Sequence, residues 1–379
     1  MTAGADIDVL VSGLGPAGAA AAAAAAEAGA RVLAVERNAE PGLPVQCAEF
    51  VPTMVRAEVA TVGASRIQGI DRMETFLGDG DADLTPNFMG YMIDRAQFDR
   101  QLVDRARDAG VDCRFATPLR TLSPTGAATV GTGLAVHPRV VIGADGPRSR
   151  VGAAIDCPNV DLVETRQITV DLLAPHTGTD IFLRPEIVGG YAWLFPKGGL
   201  CNIGLGVVPA EKHRLKPLLD TLHAELVAAG RVGTTVHRHT GGLIPVGGIV
   251  GPVGALGDVP VLLCGDAAGL TNPVTGAGIN AAVISGRLAG QAAAARIAGE
   301  AEALDDYAEE IEDLFGPSLA LARKRRSRLL HTYARQGRPQ EADLRGGWIA
   351  YPEYWRDESR THGGSTVDPA IGSEAREMA

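Results

Sequence analysis

Gly13-Leu14-Gly15-Pro16-Ala17-Gly18 sets three glycines in G-x-G-x-x-G spacing, and an acid, Glu36, follows about 20 residues further on. Glycines so spaced permit a tight turn, approach of main chain to a pyrophosphate, and close helix–strand contact. Pro16 and Ala17 open a helix whose N-terminus offers unbonded N–H groups and a positive dipole end to phosphates. Glu36, with Arg37 beside it, is placed to accept hydrogen bonds from ribose hydroxyls. The glycine pattern alone is common. It gains meaning from the apolar strand before it, the small-residue helix after it and the acid in place. Together they describe dinucleotide binding.

Two later segments bear on which dinucleotide. Residues 260–282, PVLLCGDAAGLTNPVTGAGINAA, read as a buried strand ending at Gly265-Asp266. A helix then begins near Gly276 and takes in Gly278, Ile279 and Asn280. An acid at Asp266 bonds a ribityl hydroxyl, while the helix N-terminus faces the pyrimidine edge of a flavin, which becomes anionic on reduction. Val141 to Ser149 is a second strand-to-turn junction, carrying Asp145-Gly146. Either junction alone is ordinary turn chemistry. All three in this order indicate noncovalent FAD rather than NAD.

The elements that must position these residues follow from hydrophobic patterning. Asp8–Leu14 reads as a buried strand, Ala17–Ala28 as a helix capped by Gly29, and Arg31–Glu36 as a second buried strand. This is a βαβ unit, the smallest piece of a doubly wound parallel sheet. A loop and a helical stretch are expected over 39–60, a short strand excursion over 73–91, and a helix over Ala96–Ala109. Strand-like pieces follow at Asp112–Phe115 and Val140–Ala144. From about 160 to 250 alternating strands take over, interrupted by a helix at Lys216–Ala229. The expected architecture is α/β: a Rossmann-type FAD-binding domain, an inserted antiparallel-sheet substrate domain, and a short helical C-terminal region. The FAD-binding domain would comprise residues 1–72, 92–155 and 250–300, and the sheet-rich domain 73–91 and 156–249. A helical region, 301–355, and a polar tail, 356–379, would complete the chain.

In this order the motifs resemble those of the FAD-dependent aromatic hydroxylase and geranylgeranyl reductase superfamily. Three further segments resemble the geranylgeranyl reductase branch. Pro44-Val45-Gln46-Cys47-Ala48-Glu49 is similar to its P-x-x-C-x-E loop. Tyr191-Ala192-Trp193-Leu194-Phe195-Pro196, followed by Gly204-Leu205-Gly206, is similar to its Y-x-W-x-F-P…G-x-G signature, and Gly242 to Pro245 matches its G-x-I-P turn. The resemblance implies reduction of carbon–carbon double bonds in isoprenoid chains and a cytoplasmic enzyme working at a membrane face. It implies that Arg95 contacts FAD and that Asp266 meets its ribityl–pyrophosphate region. Ala48 would join the cofactor contacts, and Tyr191, Trp193 and Phe195 would line the substrate cavity at the flavin. From the residues alone, the three aromatics are either such a wall or an ordinary packed sheet face, because alternate strand residues share a side. Cys47 is either a thiol beside the isoalloxazine, as donor or proton relay, or a small buried filler.

Composition narrows the rest. The net charge of −10 disfavours nucleic-acid binding, which needs a basic surface. Five scattered cysteines with no C-x-x-C fit neither a disulfide framework nor zinc, and favour a reducing cytoplasm. Asp6 and Asp8 interrupt any leader-like apolar run. Eight histidines show no ligand spacing, so no metal is expected. No second G-x-G-x-x-G occurs, so NAD(P)H or ferredoxin would act only as a transient electron donor. Arg323 to Arg328 is the one basic cluster, either a solvated helix face or a contact for anionic lipid or an acidic protein partner. The stretch after Gly299 is short, which predicts a shallow site open to a small substrate. It also allows electrons to pass to another protein. A monooxygenase is the remaining rival, opposed by the P-x-x-C-x-E and Y-x-W-x-F-P segments.

Overall fold

The computed structural model describes residues 7–53, 62–78 and 80–356. The sequence's helical stretch toward residue 60 falls largely outside these residues, and its polar tail falls outside them beyond Arg356. A six-stranded sheet runs in the order Val253–Leu256, Val259–Leu263, Val140–Gly143, Val9–Ser12, Val32–Val35, Asp112–Arg114. All its neighbours are parallel except the edge strand Val253–Leu256. Three of the inner strands read VLVS, VLAV and VVIG and are buried throughout, as strands covered on both faces must be. Asp8 joins the starts of three of them. Its carboxylate pairs with Arg31 at 2.9 Å and with Arg139 at 3.5 Å.

The helix Pro16–Glu27 is almost all alanine and glycine, and it packs along Ile279–Ala298. A Cβ on Gly286 would stand 2.1 Å from the Ala17 carbonyl oxygen, and one on Gly290 would stand 2.2 Å from that of Ala21. The two helices therefore meet backbone to backbone, and only small residues allow it. The alanine run serves this contact.

A nine-stranded sheet forms the second layer. Its main path is Val232–Thr240, Leu162–Leu172, Leu200–Val207, Ala192–Lys197, Gly178–Leu183, Arg66–Leu77, Asp83–Ile93, Phe50–Pro52, with Leu243–Pro245 paired on Leu162–Leu172. Alternation gives it two apolar faces. Ile168, Val170, Leu194, Ile203 and Leu205 pack under the helix Leu215–Ala228 through Leu219 and Leu222. Met73, Ile181, Trp193 and Phe195 face the other way, against Leu344, Trp348 and Tyr351 of the C-terminal region.

Three details depart from the sequence reading. The excursion over 73–91 is a long hairpin, Arg66–Leu77 with Asp83–Ile93. It joins the sheet through one parallel pairing, Gly178–Leu183 on Arg66–Leu77, so the sheet is not wholly antiparallel. A three-stranded meander, Leu119–Leu122, Ala128–Val130 and Leu134–Val136, stands where no strands were expected. Its strands of three or four residues are too short for alternation to register. No described helix is long and apolar enough to cross a membrane.

Candidate functional site

One cleft of about 1430 Å³ runs from the G-x-G-x-x-G turn to the aromatic face of the second sheet. At the first end the three glycines do different work. A Cβ on Gly13 (φ +98°) would lie 2.3 Å from the Ala144 carbonyl oxygen, and one on Gly18 would lie 1.9 Å from that of Gly13. Both are required by the protein's own packing. A Cβ on Gly15 would meet no protein atom within 4 Å, so what it must leave room for lies in the cleft. Glu36 stands at the same end and accepts from the backbone N–H of Leu14 at 3.0 Å and of Asn38 at 2.9 Å. Each oxygen keeps a lone pair beyond these contacts.

Asp266 accepts from Thr271 Oγ1 at 2.8 Å through Oδ1, and burial pushes its carboxyl above the usual range. Asn280 lines the cleft with its side-chain oxygen buried and without a hydrogen-bond partner. The open cradle at Gly15, Asp266 and the orphaned Asn280 oxygen fit a flavin dinucleotide. Arg37, Gly276, Gly278 and Ile279 line the same cleft, whereas Gly265 is buried behind it. Asp145 also lines it, but its carboxylate accepts from Ser149 Oγ at 2.5 Å and Arg150 N at 2.7 Å, capping its own turn.

The Cys47 loop forms one side of the middle of the cleft. The Cys47 thiol accepts from Glu49 N at 3.2 Å and has the Arg95 guanidinium against it. Arg95, expected to contact cofactor, is at the cleft but held by Asp99, with Nε to Oδ1 at 2.6 Å. Glu49 is fully buried and anchors the loop: its Oε2 accepts from Lys197 at 2.7 Å and Asn202 at 3.1 Å. Gln167 makes a second link, donating to the Cys47 carbonyl at 3.2 Å while its Oε1 accepts from Trp193 Nε1 at 3.0 Å. Sequence reasoning passed over Gln167, and met Glu49 only as the last residue of the P-x-x-C-x-E loop, with no role of its own. A buried polar residue at an inward position of an alternating strand was the available signal for Gln167.

Tyr191, Trp193 and Phe195 do form one wall, with ring centroids 5.7 Å and 6.2 Å apart in succession. Tyr191 donates to the Thr275 carbonyl at 2.6 Å, tying the wall to the segment before the helix Ile279–Ala298. The spacing of the G-x-G that follows has a steric cause. A Cβ on Gly204 would stand 2.3 Å from the Trp193 ring, so the glycine makes room for the indole.

The C-terminal region closes this end. Leu314, Phe315, Leu319 and Arg326 line the cleft, and the Trp348 ring packs at a tilt against Tyr191, with centroids 4.7 Å apart. The short C-terminal region nevertheless reaches the cleft, through the single helix Ala303–Gln336 that carries the first four of these residues. The basic cluster is not one solvated face. Arg323 and Lys324 are exposed, but Arg325 is buried and donates to the Tyr354 carbonyl at 2.7 Å, and Arg326 turns into the cleft. Far from these residues, Glu74, His176 and Asp180 bring ligating atoms within 4.8 Å of one another, a grouping that sequence spacing hides. Arg72 and Arg231 already pair with its carboxylates.

A Rossmann sheet, a glycine cradle and an aromatic-walled cleft define a FAD-dependent oxidoreductase, and the family model for the FAD binding domain matches residues 6–178. The chain belongs to the geranylgeranyl reductase family of these flavoproteins. It is 34% identical over 347 residues to digeranylgeranylglycerophospholipid reductase 1 of Methanopyrus kandleri, covering 84% of this chain and 89% of that protein. It is likewise 34% identical over 331 residues to the digeranylgeranylglycerophospholipid reductase of Methanoculleus marisnigri, covering 80% and 81%. The crystal structure of a geranylgeranyl bacteriochlorophyll reductase-like protein from Thermoplasma acidophilum superposes with a TM-score of 0.76 at 25% identity, covering 92% of this chain and 97% of that one. PqsL of Pseudomonas aeruginosa, at 19% identity and a TM-score of 0.67 over 90% of this chain and 99% of that one, shares the fold alone.

Proposed function

We propose that this chain reduces carbon–carbon double bonds of an isoprenoid lipid. The observation that carries the reading is the continuity of the cleft, which joins the dinucleotide cradle to the wall of Tyr191, Trp193 and Phe195 under Trp348. FAD held there, once reduced by NAD(P)H or reduced ferredoxin, would supply the hydride that one alkene carbon takes up. A proton must reach the other carbon, and Cys47, which lines the cleft, would supply it. Glu36, Asp266, Asn280 and the turn at Gly15 would hold the cofactor. The aromatic wall would orient the polyene and exclude water. The protein-acceptor alternative loses support, because Arg325 and Arg326 are turned inward from the basic surface it would use.

Anaerobic stopped-flow spectroscopy tests this directly. Flavin reduced by NADPH, reduced ferredoxin or dithionite should be reoxidised by a digeranylgeranylglyceryl phospholipid, with two hydrogens gained per double bond by mass. Cys47→Ser should retain FAD and reoxidise much more slowly. Flavin that stays reduced in the presence of every unsaturated isoprenoid offered would overturn the proposal.

A further inference from the structure

Arg326 lies on one stripe of the helix Ala303–Gln336 with Phe315, Leu319 and Ala322, at the spacing that shares a helix face. Phe315, Leu319 and Arg326 line the cleft, and Ala322 is wholly buried. Phe315 and Leu319 thus give the cleft an apolar side about two to three helical turns from the guanidinium, with Ala322 packed beneath between them. One of the Arg326 N–H groups donates to the Gly189 carbonyl, and a Cβ on Gly189 would stand 3.2 Å from Nη2. Among the described residues no carboxylate forms an ion pair with it; Asp161 reaches it only through space. The other arginines at or near the cleft are satisfied differently, Arg95 by Asp99 and Arg325 by backbone carbonyls. Holding a guanidinium in an apolar cleft without a counter-charge is costly, and burial lowers the Arg326 pKa to about 10. The group still carries its charge at neutral pH.

We propose that Arg326 is an anion subsite that takes the phosphoryl head of the substrate while the isoprenoid chain runs from it into the cleft between the aromatic wall and the side formed by Phe315 and Leu319. The proposal rests on the reductase reading above and names the head group of the same substrate. A guanidinium has five donors in a planar fork, and those not used on Gly189 match phosphoryl oxygens. Phosphoryl oxygen could come from a phospholipid head or from a soluble isoprenyl diphosphate, and the experiment separates the two.

Calorimetric titration of the FAD-loaded protein would use four probes: geranylgeranyl diphosphate, geranylgeraniol, a digeranylgeranylglyceryl phosphate, and the same lipid without phosphate. Arg326→Gln should weaken the phosphorylated member of at least one pair about ten-fold or more, and leave its uncharged partner unchanged. Arg326→Lys should recover part of the loss. The pair that responds identifies the source of the phosphate. Wild-type affinity for that ligand should fall with salt while that of its uncharged partner does not, a readout independent of whether the variants fold. Equal losses for charged and uncharged ligands, or a salt-independent affinity, would overturn the subsite. If the wild type binds the phosphorylated ligand through Arg326 but never reduces it, the reductase reading fails and the subsite stands.

Discussion

At the residue scale, the glycines of the first turn separate two requirements that a motif merges. Gly13 and Gly18 are demanded by protein atoms within 2.3 Å of where their Cβ would sit, and Gly15 by none. Gly13→Ala should therefore lower the melting temperature of the apoprotein, since the left-handed backbone and the Ala144 carbonyl both oppose a side chain. Gly15→Val should leave the melting temperature of the apoprotein intact and abolish FAD uptake, because its branches project into the cradle. Thermal melts with and without added FAD check both, and a Gly15→Val protein that binds FAD normally would remove the pyrophosphate from this turn. The sequence exposed the motif but not this division, because which atoms oppose each glycine depends on Ala144, far along the chain.

At the element scale, Asp8 fastens the starts of three parallel strands through Arg31 and Arg139. Arg31, bonded to the carboxylate through both side chain and backbone, holds the Asp8 pKa down at about 2. A carboxylate with a depressed folded pKa stabilises above its unfolded pKa, about 4, and that contribution is lost as pH falls through about 2. Asp8→Asn should cost about 1–2 kcal/mol at pH 7, solvent around the half-exposed Arg31 trimming the full linkage value. The gap between wild type and variant should narrow from pH 4 downward. Urea unfolding at pH 7, 4 and 3 measures it, and a gap that does not change with pH would mean the ion pair is not its source. Apart from the antiparallel edge strand Val253–Leu256, which the sequence reading did not name, the strands and helices of this layer were legible to within a few residues, since buried parallel strands are continuous apolar runs. The parallel pairing of Gly178–Leu183 with Arg66–Leu77 was not, because a strand carries no local mark of the direction of its neighbour.

At the scale of the whole molecule, the C-terminal region completes the cleft. Trp348 is 3% exposed, packs on Tyr191 and belongs to the apolar cluster with Ile181, Trp193 and Phe195. Trp348→Ala should lower unfolding stability by about 3 kcal/mol and raise the KM for an isoprenoid substrate, while reduction of the flavin by dithionite stays at the wild-type rate. A variant with unchanged KM would place Trp348 outside the substrate path. The sequence by itself determined the dinucleotide fold, because a βαβ unit is contiguous and its glycines, alanines and acid act within about 30 residues, and the later strand-to-turn junctions at Asp145 and Asp266 pointed to FAD. It also marked the aromatic strand and the Cys47 loop. Only the tertiary structure decided what they face. Gln167 links Trp193 to Cys47, Thr275 receives Tyr191, and Arg326 turns from a basic surface run into the cleft. These meetings join residues between 26 and 137 positions apart, and such contacts are set by how the layers pack rather than by any local pattern of residue types.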